Sequence, residues 1–253
     1  MNYLRAAYNW GQTASRATFY GTIGCLFGWL PGARPFAQWC MYRWCKGSAD
    51  GLRIKRRINN ADHLASAPQA IIVANHLSSL DILVLGGFLR MDYRWLAKST
   101  LFKVPFSGWY LQIAGHIPVR RDLDSESRTK LINVGISRVV NQGASVLFFP
   151  EGTRSSDGQL KDFRIGAFMA AAHHNLPILP LVLRGTHELM EKGAKDLAVR
   201  ADRECTLTAL PLIEPGDGSQ GSERARAERL RELCFDAISR ELTSNKEEGE
   251  VGS

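Results

Sequence analysis

Five cysteines in 253 residues, with no C-x-x-C pair among Cys25, Cys40, Cys45, Cys205 and Cys234, are too few and too scattered for a disulfide framework. They suit a reduced, cytosolic face. The uncharged N-terminal stretch from Ala17 to Ala33 has 17 residues, short of the roughly 20 that a bilayer span needs, and Gly21, Gly24, Gly28, Pro31 and Gly32 interrupt it. That favours lying on or dipping into a membrane over crossing it. A cleaved leader is not expected, because the stretch begins late, is rich in aromatic residues, and sets Pro31 just before the cleavage point at Ala33. Glycine (23) and proline (10) are near average usage, which excludes collagen-like and low-complexity chains. Acidic residues are the scarcer charge, 25 against 32 basic, and the net +7 suits an anionic partner: a phosphorylated substrate, a lipid surface or nucleic acid.

Residues 1–46 are dense in Trp10, Phe19, Tyr20, Phe27, Trp29, Phe36, Trp39, Tyr42 and Trp44, interleaved with Arg5, Arg16, Arg34 and Arg43. Aromatic anchors mixed with cations mark helices that sit at lipid headgroups. The competing reading is a soluble helical hairpin with its aromatics in the core. Gly24, Gly28 and Gly32 recur every fourth residue, which in a helix lines one side for close approach of another backbone.

From residue 50 onward, short apolar runs alternate with helical stretches, the pattern of βαβ units. Strands are expected at Ala70–Ala74, Tyr93–Ala97, His116–Val119, Ser145–Phe149 and Ile178–Leu183. Helices are expected at Ser127–Asn141, with Gly143 beyond its C-terminus, and at Arg224–Leu242, with Leu230, Leu233/Cys234, Ile238 and Leu242 on one face. The resulting expectation is an α/β fold, a mostly parallel central sheet with flanking helices, preceded by an N-terminal amphipathic membrane-docking segment. The domain reading is an interfacial segment at 1–46, an α/β domain at 47–244 and a disordered tail at 245–253.

Four segments carry chemistry. After the buried run at 71–74 comes Asn75-His76-Leu77-Ser78-Ser79-Leu80-Asp81, placing a His just beyond a strand and an Asp five residues later. Carboxyl ends of strands gather ligands in α/β folds. A turn near Ser78 brings Asp81 back to His76, where a carboxylate fixes the imidazole tautomer and leaves the other nitrogen to accept a proton. Ser78-x-x-Asp81 also reads as a helix-capping pattern. The second segment, Phe149 to Ser155, gathers Glu151, Gly152, Thr153 and Arg154 in one loop, suited to a phosphate and its neighbouring hydroxyls. The third, Gly115 to Arg121, ends a strand with two cations. The fourth, Leu176 to Leu181, is apolar and proline-punctuated, open to an edge-strand reading.

In this order the four segments resemble the lysophospholipid and glycerophosphate acyltransferases, the 1-acyl-glycerol-3-phosphate acyltransferase family. The matching blocks are N-H-x-x-x-x-D at 75–81, G-x-I-P-V-x-R at 115–121, F-P-E-G-T-R-S at 149–155 and Pro177 to Leu181. Lys98, Pro105, Gly108 and the segment Phe163 to Phe168 also fit, and the likeness runs from about residue 36 to about residue 213. The resemblance implies that His76 is the base on a glycerol hydroxyl, steadied by Asp81, which then attacks the thioester of an acyl donor without a covalent acyl-enzyme. It implies that Lys98, Arg121, Glu151, Gly152, Thr153 and Arg154 bind the acceptor's phosphate and glycerol. Arg121 is taken over Arg120 for its spacing, and His116, His173 and His174 match no block. No metal and no cofactor are expected: acyl-CoA or acyl-carrier protein is a co-substrate. The expected partners are the lysophospholipid, the donor and an anionic membrane surface, at the cytoplasmic face of the cell membrane, peripheral or monotopic.

Two other classes compete. A basic, non-enzymatic binding protein would be salt-sensitive towards polyanions, yet the chain has no recognisable nucleic-acid motif, so no nucleic-acid partner is expected. A metal hydrolase built on His76, Asp81 and a distant His lacks any H-x-x-x-H or H-E-x-x-H spacing.

Overall fold

In the computed structural model, runs that are apolar without interruption form the middle of a seven-stranded sheet. Its described residues are 3–28, 30, 32–155, 157–190, 197, 199–200, 202–216 and 221–250. Strands β2 (Ile71–Ala74) and β5 (Ser145–Phe148) are buried at every residue, as strands covered on both faces must be. With β1 (Lys55–Asn59), β3 (Tyr93–Lys98), β4 (Ile117–Val119), β6 (Ile178–Arg184) and β7 (Glu204–Ala209) they are ordered β1-β7-β6-β2-β5-β3-β4. Neighbours run parallel except β6 and β7. The mostly parallel α/β sheet therefore stands as expected, while β1 and β7 are additions. The sequence Lys55-Arg56-Arg57 carries no strand signal, and only pairing with β7 draws it into the sheet.

The proline-punctuated segment is interior, with β6 between β7 and β2. Pro180 cannot donate to the ladder, but its carbonyl accepts from Leu210 N at 3.0 Å.

Alternation along the strands divides the core in two. Ile71, Val73, Val146 and Phe148 face one layer, where α6 (Ser125–Asn141), α7 (Gly166–His174) and α8 (Glu223–Glu250) lie. Ile72, Ala74 and Leu147 face the other, covered by α2 (Arg34–Gly51), α4 (Asp81–Gly86) and α5 (Ser107–Ile113). The short α3 (Ala61–Ala65) touches β7, and α1 (Tyr3–Phe27) lies on α2 and α5. Helix α6 starts on Asp124, whose carboxylate accepts from Ser127 N at 2.9 Å, and stops before Gly143 at φ +80°. On α8, Leu230, Cys234 and Ile238 are buried, whereas Leu233 is exposed.

The N-terminal helices are not a detachable segment. Helix α2 inserts Cys40, Met41, Cys45 and Ala49 into the core, so the boundary expected at residue 46 falls inside a helix. The glycines of α1 meet α5: Gly21 faces the Phe106 backbone and Gly24 the Tyr110 ring, whereas Gly32, at φ +79°, faces nothing within 4 Å. Helix α8 continues to Glu250, over part of the segment expected to be a tail. Trp29, Pro31, residues 251–253 and the side chains of Arg34 and 245–250 lie outside what is described.

His116, which matches no block, is buried against Trp95 at 3.9 Å between ring centroids, and its Nδ1 accepts from Trp95 N at 3.2 Å. Burial, then the nearby Arg94 guanidinium, hold its pKa well below 6.5. The folded state therefore keeps it neutral while the unfolded chain takes up a proton below about 6.5. Stability should fall as pH drops through that value, by at most about 1.4 kcal/mol per unit from this group. Thermal melts of His116→Phe against the parent should show a shallower acid slope, even if the variant starts lower.

Candidate active site

The carboxyl ends of β6, β2, β5, β3 and β4 share one edge of the sheet, because these five strands all run parallel. Every residue expected to carry chemistry follows one of those ends. His76 and Asp81 follow β2, the 149–155 loop follows β5, Lys98 closes β3 and Arg121 lies two residues past β4. With strands about 4.8 Å apart, the β5 loop is the immediate neighbour of His76, and the β3 and β4 ends are roughly 10 and 14 Å away.

Each side chain is held by identifiable partners. Asn75 bridges to β6, donating from Nδ2 to Leu183 O at 2.9 Å and accepting from Leu183 N at 2.7 Å, so it anchors the loop. His76 Nδ1 lies 2.7 Å from Asp81 Oδ2, and its ring stacks on Phe149 at 4.1 Å. Asp81 is fully buried. Its Oδ2 also accepts from Leu77 N at 2.7 Å and Ser78 N at 2.9 Å, and its Oδ1 from Thr186 Oγ1 at 2.6 Å. The carboxylate thus orients the imidazole and closes the 77–81 turn, whereas the helix-capping reading does not hold: α4 begins at Asp81 itself, after Leu80, with no side-chain cap. A carboxylate oxygen can only accept, so His76 Nδ1 carries the proton and Nε2 keeps its lone pair.

The two loops are stitched together. His76 N donates to Glu151 Oε1 at 2.8 Å, and Ser155 N donates to His76 O at 2.7 Å. Glu151 is accordingly a strut beneath His76 as well as a loop carboxylate; burial pushes its pKa up, against the pull of the His76 N–H. Gly152, at φ +70°, leaves the space its Cβ would fill to the Arg164 guanidinium, 2.7 to 3.1 Å from that point. Thr153, Arg154, Lys98 and Arg121 are exposed along the edge. Arg120 is engaged with Asp122 at 2.6 Å. Among the described residues no group of three His, Cys, Asp or Glu is arranged to hold a metal ion.

Two contributors escaped the sequence reading. Thr186 follows β6, 105 residues from Asp81, with no motif around it. Lys161, donating to Arg154 O at 2.8 Å, was signalled only by closeness to the 149–155 loop. Arg164 lies in the Phe163 to Phe168 segment that the resemblance included, but without a role until the structure set it against Gly152. Thr186→Val keeps the shape and removes the donor to Asp81 Oδ1. It should lower kcat about tenfold with KM little changed; an equal loss with Thr186→Ser, which keeps the hydroxyl, would contradict that role.

Residues 55–184 match the family model described as Acyltransferase. A chloroplast 1-acyl-sn-glycerol-3-phosphate acyltransferase of Brassica napus is 36% identical over 58% of this chain and 42% of its own length. The 1-acyl-sn-glycerol-3-phosphate acyltransferase of Saccharomyces cerevisiae is 35% identical over 68% of this chain and 57% of that one. The match thus spans about half or less of these relatives. The crystal structure of PlsC, a 1-acyl-sn-glycerophosphate acyltransferase from Thermotoga maritima, superposes with a TM-score of 0.76 at 24% identity, covering 97% of this chain and 96% of that one, a likeness of fold. With the family model spanning more than half of its residues, strands β1 to β6 among them, this chain belongs to the acyltransferase family.

Proposed function

We propose that the protein transfers a fatty acyl group from an acyl thioester to the free hydroxyl of a lysophospholipid, with 1-acyl-sn-glycerol 3-phosphate as the acceptor and phosphatidic acid as the product. The observation that carries this is the His76–Asp81 pair, tied through Glu151 and Ser155 to the loop bearing Arg154.

The geometry supports the following steps. His76 Nε2 takes the proton of the glycerol hydroxyl, and the oxygen attacks the thioester carbonyl. The tetrahedral intermediate collapses with loss of the C–S bond, and the imidazolium returns its proton to the departing thiolate. The acceptor's phosphate lies a few bonds from its hydroxyl, so Arg154 on the adjacent loop and Arg164, packed against Gly152, are the cations assigned to it, with Lys98 and Arg121 extending the positive field. The acyl chain has a place in an apolar cavity of about 500 Å³ between α1, α2 and α5, which reaches Trp95 and Ile82, the residue beside Asp81.

Association with the cytoplasmic face of the cell membrane, peripheral or monotopic, belongs to the same reading. No helix among the described residues is long and apolar enough to cross a membrane. Tyr8, Trp10, Phe19, Phe27 and Trp109 are nevertheless largely exposed.

The test is an in vitro assay crossing acyl-CoA and acyl-carrier protein with lysophosphatidate, glycerol 3-phosphate and a lyso-ornithine lipid, read by mass spectrometry. Transfer to lysophosphatidate is expected from at least one donor. No transfer to it from either donor would overturn the acceptor assignment.

A further inference from the structure

We propose that His187 is a positioning residue for the acceptor's phosphate: its ring is the abutment on which the loop bearing Arg154 comes to rest after crossing the end of β2. The kinetic part of this deepens the acyl-transfer reading and rests on it, whereas the seating rests on geometry alone.

Sheet order shows the crossing. Strand β2 lies between β5 and β6, so a loop that leaves β5 and touches a residue beyond β6 must pass over the strand end from which His76 emerges. It spans two strand spacings, about 10 Å. Three points pin it. On the β5 side Glu151 Oε1 accepts from His76 N at 2.8 Å, midway Ser155 N donates to His76 O at 2.7 Å, and on the β6 side Gly158 meets the imidazole of His187. Gly158 has φ +75°, and a Cβ there would lie 2.9 Å from His187 Cε1 and 3.0 Å from Nε2, so the ring fills the space of the missing side chain.

Both sides of that contact are braced. His187 stands in a tight turn closed by Glu188 N donating to Gly185 O at 3.0 Å, and Leu189 beyond it is fully buried. On the loop, Asp157 Oδ1 accepts from Ser155 Oγ at 2.7 Å and from Gln159 N at 3.1 Å, and Lys161 Nζ donates to Arg154 O at 2.8 Å. A displacement at Gly158 is therefore passed on to Arg154. Neighbouring residues of the turn serve the two halves of the site: Thr186 donates to Asp81 Oδ1 at 2.6 Å, on the side of the base, and His187 holds the loop on the side of the phosphate. The shape of the ring does the seating. Its Nδ1 is buried with no hydrogen-bond partner among the described residues, and its Nε2 is 3.8 Å from Glu188 Oε1, on a carboxylate that Arg203 approaches at 3.3 Å. His187 lies in none of the four sequence blocks.

The test compares His187→Ala and His187→Phe with the parent, as full chains, by amide hydrogen exchange and by steady-state kinetics. His187→Ala should speed exchange about tenfold in peptides covering 157–161 and leave those covering 71–81 unchanged. It should raise KM for lysophosphatidate about tenfold, with kcat and the KM for the acyl thioester within about twofold, the reverse of the pattern expected for Thr186→Val. His187→Phe, which keeps a planar ring, should stay within about threefold of the parent in both measurements. Unchanged exchange at 157–161, a fall in kcat with KM intact, or an equal loss in the two variants would overturn the proposal. A parent inert towards lysophosphatidate would overturn the acceptor reading and the kinetic part with it, while exchange still decides the seating.

Discussion

Replacing His76 with alanine should cut acyl transfer about 10⁴-fold while the protein stays folded. Among the described residues the imidazole is the one group at the sheet edge with a lone pair held in place by a buried carboxylate, and general-base removal costs up to about that factor. Its structural role is modest. The side chain is 22% exposed, and its loss leaves Asp81 with three of its four donors. Thermal melting should therefore move only a few degrees, whereas the rate collapses for every donor and acceptor alike. A His76→Ala protein that still turned over at a tenth of the parent rate would refute the base assignment, and the melting curve ensures that misfolding cannot imitate the expected result.

Asp81→Ala is expected to damage both rate and stability, and the contrast with His76→Ala is the informative part. The carboxylate is fully buried and accepts from His76, from two backbone N–H groups and from the Thr186 hydroxyl. Removing it leaves Leu77 N and Ser78 N without an acceptor in a dry site, at about 1–3 kcal/mol for each unsatisfied group. A total loss of about 3–5 kcal/mol follows, which for a chain of this size lowers Tm by roughly 10 °C. Activity should fall at least a hundredfold as the imidazole loses its orientation. A stable Asp81→Ala protein would show that the turn at 77–81 does not depend on its carboxylate.

Much of this site could be read from local chemistry. A His just beyond a buried strand and an Asp five residues on are brought together by a single turn, so spacing along the chain carried the geometry. The 149–155 loop was likewise announced by a buried strand running into Glu151, Gly152 and Arg154. Helix α6 was visible because its cap, apolar period and terminal glycine all lie within the segment itself.

Other features were invisible for an equally physical reason. Thr186 reaches Asp81 only because β6 lies beside β2, and nothing within residues 178–186 encodes that adjacency. The second role of Glu151, as the acceptor beneath His76, depends on β5 pairing with β2. Strand β1 exists as a partner of β7, which is itself held antiparallel against β6. The sequence by itself determined which residues could do acid–base and phosphate chemistry and that each would leave the end of a strand, since burial pattern and turn composition are local. Tertiary structure alone decided which strand ends became neighbours, because parallel strands are joined by long crossovers whose order in the sheet is set by packing of the whole chain.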